Sequence, residues 1–166
     1  MSLQIRPCRP EDIPQICEIY NHYIRQTTIT FEETPLELPQ MASRVATYAR
    51  QYPWLVGVAG DEIVGYAYAT KWKERAAYRH TVESTIYLRD GHGGQGHGRA
   101  LYQALLAELD ELGCHVVLGC IAIPNDASIG LHERLGFRKV AHFNEVGFKH
   151  GRWLDVGYWQ RTSPRA

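Results

Sequence analysis

Between Tyr87 and Leu101 the chain reads YLRDGHGGQGHGRAL, an apolar strand-like stretch joined to a helix-forming one by a loop almost without side chains. Gly91, Gly93, Gly94, Gly96 and Gly98 crowd into eight residues. Glycines at these positions tolerate positive φ and let a ligand approach the backbone closely. A loop of this kind turns backbone N–H groups and a helix N-terminus toward an anion, and a pyrophosphate is its natural guest. A nucleotide P-loop is excluded, because Gly98 is followed by Arg99 and Ala100 where lysine and serine or threonine would be required. A dinucleotide fold would place the loop after the first strand of a βαβ unit, whereas here it follows the third or fourth strand. A merely flexible surface loop is the third alternative.

The rest of the chain sets the frame for that loop. At 166 residues it is long enough for one domain, expected to span 1–166, with a core of its own. Eighteen Lys and Arg balance eighteen Asp and Glu, so no net field points to nucleic acid or an acidic membrane. Cys8, Cys17, Cys114 and Cys120 show no C-x-x-C spacing, and MSLQIRPCRP lacks the apolar core of a signal peptide. No apolar run approaches the ~18 residues of a membrane span. A reduced, cytoplasmic protein is expected.

Hydrophobic periodicity predicts a strand at Gln4 to Arg6 and a helix from Pro10 carrying Ile13, Ile16, Cys17, Tyr20, Tyr23 and Ile24 on one face. A second helix is expected from about Pro39 to Gln51. Trp54 to Ala59 and Ile63 to Trp72 flank the turn Gly60-Asp61-Glu62 and read as a hairpin, with Thr81 to Leu88 as the next strand. After the glycine loop, a helix from about Gly98 to Leu112 shows a stripe of Leu101, Ala104, Leu105, Leu109 and Leu112 before Gly113. Val116 to Ile121 is a buried strand, Pro124-Asn125-Asp126 opens a short helix ended by Gly136, and strands follow at about Arg138 to Phe148 and Leu154 to Gln160. This order predicts a mixed α/β sheet covered on both faces.

Gly93-Gly94-Gln95-Gly96-His97-Gly98 resembles the [QR]-x-x-G-x-[GA] pyrophosphate loop of the Gcn5-related N-acetyltransferases (GNAT). Two residues depart from it: Gly93 stands where Arg or Gln is usual, and His97 replaces an apolar residue. Beyond the loop, NHYI at Asn21 to Ile24, YPWLV at Tyr52 to Val56, WKERAAY at Trp72 to Tyr78, TVEST at Thr81 to Thr85, IPNDAS at Ile123 to Ser128, LHERLGF at Leu131 to Phe137 and GFKHGRWLDVGYWQ at Gly147 to Gln160 resemble the phosphinothricin acetyltransferases. The resemblance implies the α/β (α+β) GNAT fold, a mixed, mostly antiparallel twisted sheet of about seven strands flanked by about four helices, with acetyl-CoA as co-substrate.

Acetyl transfer to an amine requires a neutral nitrogen, and an ammonium is almost wholly protonated at neutral pH. Glu83, in TVEST, matches the family's general base, while a salt-bridged surface carboxylate is the alternative for any glutamate. His132, in LHERLGF, stands where many relatives carry a tyrosine that protonates the leaving thiolate; a satisfied helix-face histidine is its alternative. The resemblance assigns the coenzyme to Ile86, Tyr87 and Leu88 along the pantetheine arm, with a backbone N–H near Leu88 on the thioester carbonyl. Gly94, Gln95, Gly96, His97, Gly98 and Arg99 would hold the pyrophosphate, and Asn125, Ser128 and Arg134 are further coenzyme candidates. Helix capping is the alternative for Asn125.

A compact amino acid with a carboxylate and a tetrahedral polar group needs donors at both ends. Lys73, Arg75 and Tyr78 are expected to supply them, with Phe31, Thr85 and Val156 as pocket wall; an ordinary solvated basic loop for the first three, and core packing for Phe31 and Val156, are the alternatives. His92 and His97 lack a second pair at zinc spacing, so no metal is expected, and a Cys120 nucleophile is unnecessary for direct transfer. The implied activity is N-acetylation of a small amino acid such as phosphinothricin or methionine sulfoximine or sulfone, by direct attack in a ternary complex. The resemblance also implies a homodimer. Another amine, such as a peptide N-terminus or an aminoglycoside, or a catalytically silent acyl-CoA sensor, are the competing readings.

Overall fold

The computed structural model describes residues 2–164. Strand β1 (Gln4–Pro7) leads through a short 3-10 turn into helix α1 (Ile13–Gln26), followed by α2 (Leu38–Tyr48), β2 (Trp54–Ala59), β3 (Glu62–Lys71) and β4 (Thr81–Leu88). Helix α3 (His97–Glu111), β5 (Val116–Ile123), α4 (Asp126–Arg134), β6 (Arg138–Lys149) and β7 (Arg152–Thr162) complete the chain. The seven strands form one sheet in the order β1-β2-β3-β4-β5-β7-β6, antiparallel throughout except for the parallel pair β4 and β5. This is the mixed sheet that the element order predicts, and the mostly antiparallel sheet with four α-helices that the resemblance implies.

Strand alternation sorts the core into two layers. Trp54, Val56 and Tyr66 face α1 and α2, packing with Ile16, Ile24, Met41 and Val45. Leu55, Ala67, Ala69 and Val82 face the other way, onto Leu101, Tyr102, Leu105 and Leu109 of α3. The start of α1 is held by Asp12, which accepts two hydrogen bonds from Arg6 at 2.7 and 3.0 Å and a third from the Arg9 N–H at 2.8 Å. Those bonds, the guanidinium's foremost, hold its carboxyl below the usual carboxylate range.

The boundaries that moved have local causes. Helix α2 begins at Leu38 because the Glu37 N–H is satisfied by Gln40 Oε1 at 2.7 Å, which leaves Pro39 in the first turn where its missing donor costs nothing. Leu112 is not part of the buried stripe of α3: it caps the helix and is 59 % exposed, while Tyr102 and Leu106 bury instead. The turn between β2 and β3 is shorter than the three residues expected, since Ala59 pairs with Glu62 and only Gly60 and Asp61 lie between.

Close backbone approach fixes β3 against β4 at Gly65, opposite Leu88. A Cβ there would lie 2.6 Å from Leu88 Cδ2 and 2.9 Å from the Tyr87 carbonyl oxygen. Gly65→Ala is therefore expected to cost about 1–3 kcal/mol by overpacking, measured as a lower midpoint in denaturant unfolding; an unchanged midpoint would show that the strands have room to separate.

Candidate active site

The parallel contact between β4 and β5 runs only from Thr81↔Val116 to Ser84↔Gly119, although each strand is eight residues long. Beyond that rung the strands part, and a cleft opens between them. The Arg89 N–H bonds the Val64 carbonyl at 2.8 Å, and Leu88 and Ile86 lie opposite Gly65 and Ala67. Antiparallel alternation then turns the N–H groups of Ile86 and Leu88 away from β3, toward the gap that β5 has vacated. The Leu88 carbonyl on that side accepts from the Tyr23 hydroxyl.

The cleft has two connected parts. Its inner part, about 260 Å³, is bounded by Glu83, Thr85, Cys120, His132, Val156 and the loop residue Phe31. An outer part of about 520 Å³ is bounded by Leu88, Gly94, Gly96, Gly98, Arg99 and Arg134. Ile86, Tyr87, Asn125 and Ser128 border both. Gly96 caps α3 in the left-handed region, φ 83°, and so aims the helix N-terminus at the outer part. Gly98 lies buried, with Leu88 and Leu131 where a Cβ would sit at 3.3 and 3.5 Å. Asn125 does cap α4, accepting from the Ser128 N–H at 3.3 Å, while also bordering the cleft.

Some expected residues lie elsewhere. Gln95 is exposed, its amide directed to the Gly91 carbonyl at 3.4 Å, and His97 packs near His92, with ring centroids 6.3 Å apart. Neither residue lines the cleft, although the glycines on either side of each do. Lys73, Arg75 and Tyr78 are exposed on the loop between β3 and β4 and do not line its inner wall. Tyr78 rests edge-on against Trp72, and the Lys73 ammonium lies 5.3 Å from the Trp72 ring centre.

Two polar groups dominate the inner part, on opposite faces of the sheet. Glu83 is half-buried, and burial pushes its carboxyl above the ordinary range, partly offset by the charge of Lys73 and a hydrogen bond with Tyr158. His132 is 4 % exposed. Its Nδ1 lies 2.7 Å from the Ser128 carbonyl, which requires the proton there, and its Nε2 lies 3.0 Å from the Tyr102 hydroxyl, which donates to it. Tyr102 in turn is bonded to Ser84, whose Oγ also reaches the Leu118 carbonyl at 3.4 Å. Burial lowers the His132 pKa, with the Ser128 carbonyl opposing, so the ring is neutral at pH 7.

Ser84, Tyr102 and Tyr158 were not among the expected site residues. Tyr158 could have been found from Val156, two residues earlier on the same strand face. Tyr102 carries a weaker signal, a hydroxyl on the buried face of α3 that must find a partner. Among the described residues no group of three His, Cys, Asp or Glu side chains could hold a metal ion.

A splayed β4 and β5 pair, a glycine loop at the N-terminus of α3 and a carboxylate at the closed end together define an acyl-CoA-dependent acetyltransferase. The Acetyltransferase (GNAT) domain family matches residues 5–157. The chain is 40% identical to a phosphinothricin N-acetyltransferase of Streptomyces viridochromogenes, covering 96% of this chain and 87% of that one. It is 42% identical to an L-methionine sulfoximine/L-methionine sulfone acetyltransferase of Pseudomonas aeruginosa, over 96% of this chain and 94% of that one. A phosphinothricin acetyltransferase from Sinorhizobium meliloti, solved with acetyl-CoA, superposes with a TM-score of 0.94 at 36% identity, covering 98% of this chain and 89% of that one. The chain therefore belongs to the GNAT acetyltransferase family, with acetyl-CoA as its co-substrate.

The last paired rung carries no side chain on β5. A Cβ on Gly119 would lie 2.6 Å from His132 Nε2 and 2.7 Å from Cδ2. Gly119→Ala is expected to displace the imidazole and cost about 1–3 kcal/mol, read as a drop in Tm. A Tm equal to that of the parent would show that the ring moves freely.

Proposed function

We propose that the chain acetylates the free amino group of a small amino acid, of the kind represented by phosphinothricin and methionine sulfoximine or sulfone, by direct attack within a ternary complex. The observation that carries this reading is the half-buried Glu83 carboxylate at the closed end of the same cleft whose outer part meets the glycine loop. An inner space of about 260 Å³ suits an acceptor of amino-acid size better than a folded protein surface.

In this reading Gly94, Gly96 and Gly98, the main chain of Gln95 and His97, and the cations Arg99 and Arg134 receive the pyrophosphate. Ile86, Tyr87 and Leu88 run beside the pantetheine arm, and the Leu88 N–H polarises the thioester carbonyl. Asn125 and Ser128 border the arm from α4. Glu83 takes the amine proton as the nitrogen attacks, directly or through a water. Bringing both reactants into one cleft supplies much of the acceleration. His132, neutral and already accepting from Tyr102, holds the junction of the cleft and takes a secondary part at thiolate departure. Phe31, Thr85 and Val156 shape the acceptor space, and Lys73, Arg75 and Tyr78, on the exposed loop outside it, would move inward to meet the acceptor's anionic groups.

The cytoplasm is the compartment we assign, consistent with four cysteines that are all free thiols. A homodimer is supported by the β6 and β7 hairpin, on which Val146, Phe148 and Trp153 are 59, 55 and 64 % exposed.

Thiol release from acetyl-CoA is the direct test. Phosphinothricin, methionine sulfoximine and methionine sulfone should turn over, and unrelated amines should not. Binding of acetyl-CoA with no turnover of any amine would contradict the reading. Glu83→Gln should lower kcat by about 10²–10⁴-fold with acetyl-CoA affinity retained; full activity would remove Glu83 as the base. The pH dependence has a definite sign. Because burial raises the Glu83 pKa, the basic form is lost as pH falls through a value above the ~4.3 of free glutamate, and kcat/KM should show its acid limb above that value.

A further inference from the structure

We propose that Gly147 and Lys149, on the inner face of β6, set the width of the acceptor space by holding Thr30 and Phe31 of the connection between α1 and α2. The inference rests on the reading of the inner cleft as the acceptor site and adds the residues that position its wall.

Lys149 is 1 % exposed, an unusual place for an ammonium. An apolar side chain of similar length would fill the same space at less cost. What the ammonium adds is a hydrogen bond, donated to the Thr30 carbonyl at 2.8 Å. Phe31 follows, and its ring lies over Gly147, two positions before Lys149 on the same strand face. A Cβ on Gly147 would sit 2.3 Å from Phe31 Cε2 and 2.6 Å from Cζ, so the ring takes its place only over a glycine. The hairpin touches the connection a third time where Arg152 donates to the Thr28 hydroxyl at 3.4 Å.

The same segment is fixed from its other side. Tyr20 on α1 is bonded to the Thr30 hydroxyl at 2.9 Å and to the Glu32 carboxylate. A carboxylate only accepts, so the Tyr20 proton goes to Glu32 and the Thr30 hydroxyl donates to the Tyr20 oxygen. Arg44 on α2 completes the set with two bonds to Glu32, at 2.8 and 2.5 Å. Thr30 and Glu32 are thus anchored on the helices, and Lys149 ties them to the sheet. Between them, Phe31 is 38 % exposed, so packing alone does not confine its ring. Ile29, Thr30 and Phe31 border the inner cleft together with Glu83. The anchor on β6 therefore governs how much room an acceptor finds there.

The experiment is steady-state kinetics of Lys149→Met with the acceptor that turns over, acceptor and acetyl-CoA being varied separately. Loss of the bond should raise the acceptor KM about 10-fold, with the KM for acetyl-CoA unchanged. A packing role alone would move both constants or neither, and either result overturns the proposal. Coupling to Phe31 is a second readout: in a Phe31→Ala background Lys149→Met should add no more than about 2-fold, and the full effect there would contradict action through the ring. Should Lys149→Met fail to fold, Gly147→Ala tests the other contact. Gly147 has no positive φ, so alanine strains no backbone there; the acceptor KM alone should rise, and an unmoved KM overturns the proposal equally. Amide exchange across 27–37 reads the hold without turnover. It should quicken in Lys149→Met, and unchanged exchange would show that no anchor was lost. Quickened exchange in a protein that acetylates no amine would instead defeat the acceptor reading, a separable outcome.

Discussion

Parallel pairing between Thr81–Ser84 and Val116–Gly119 holds the two halves of the sheet together, and the site exists because that pairing stops where it does. A β-sheet normally hides its backbone polar groups in its ladder. Here the ladder ends four residues early on β4, which leaves N–H groups of Ile86 and Leu88 directed into a cleft instead of onto a strand. In the proposed function an extended ligand bearing amides completes that edge, and the helix dipole and left-handed glycines of the next segment receive its anionic end.

What stands at the split is a packed polar junction. Ser84 and Gly119 form the last rung; the Ser84 hydroxyl binds Tyr102, Tyr102 binds His132, and the His132 ring occupies the space a side chain on Gly119 would fill. Burying three polar side chains is unfavourable unless each is bonded. Here each one is, so the junction specifies one geometry for the fork. On the opposite face the carboxylate of Glu83 keeps partial access to the cleft. Two polar groups, one buried and one half-exposed, thus stand on opposite faces of a single sheet.

Local signals in the sequence carried the elements and the cofactor end. Strand β4 was legible to the residue because Thr81 to Leu88 is bounded by a polar loop and the glycine run, and Asn125 before Asp126 was legible as a helix start. The inner site was less so, for reasons of topology. Lys73, Arg75 and Tyr78 are near Glu83 along the chain, yet the loop that carries them stays exposed. Tyr158 is 75 residues from Glu83, a separation read directly from the numbering, and the two share a face of the sheet, on either side of β5, only because β7 inserts between β5 and β6. Likewise Ser84, Tyr102 and His132 come from a strand and two helices that no short motif joins. Strand order that departs from chain order is a tertiary fact, and the residues it brings together are those that periodicity could not pair.

The most direct measurement is residue-resolved amide hydrogen exchange on β4, with and without acetyl-CoA. Tyr87 lies in a hydrogen-bonded position against Tyr66, so its amide should be protected in both conditions. Amides of Ile86 and Leu88 should exchange faster in the free protein and slow markedly on binding. Equal protection of Leu88 before and after binding would contradict an open strand edge completed by the coenzyme.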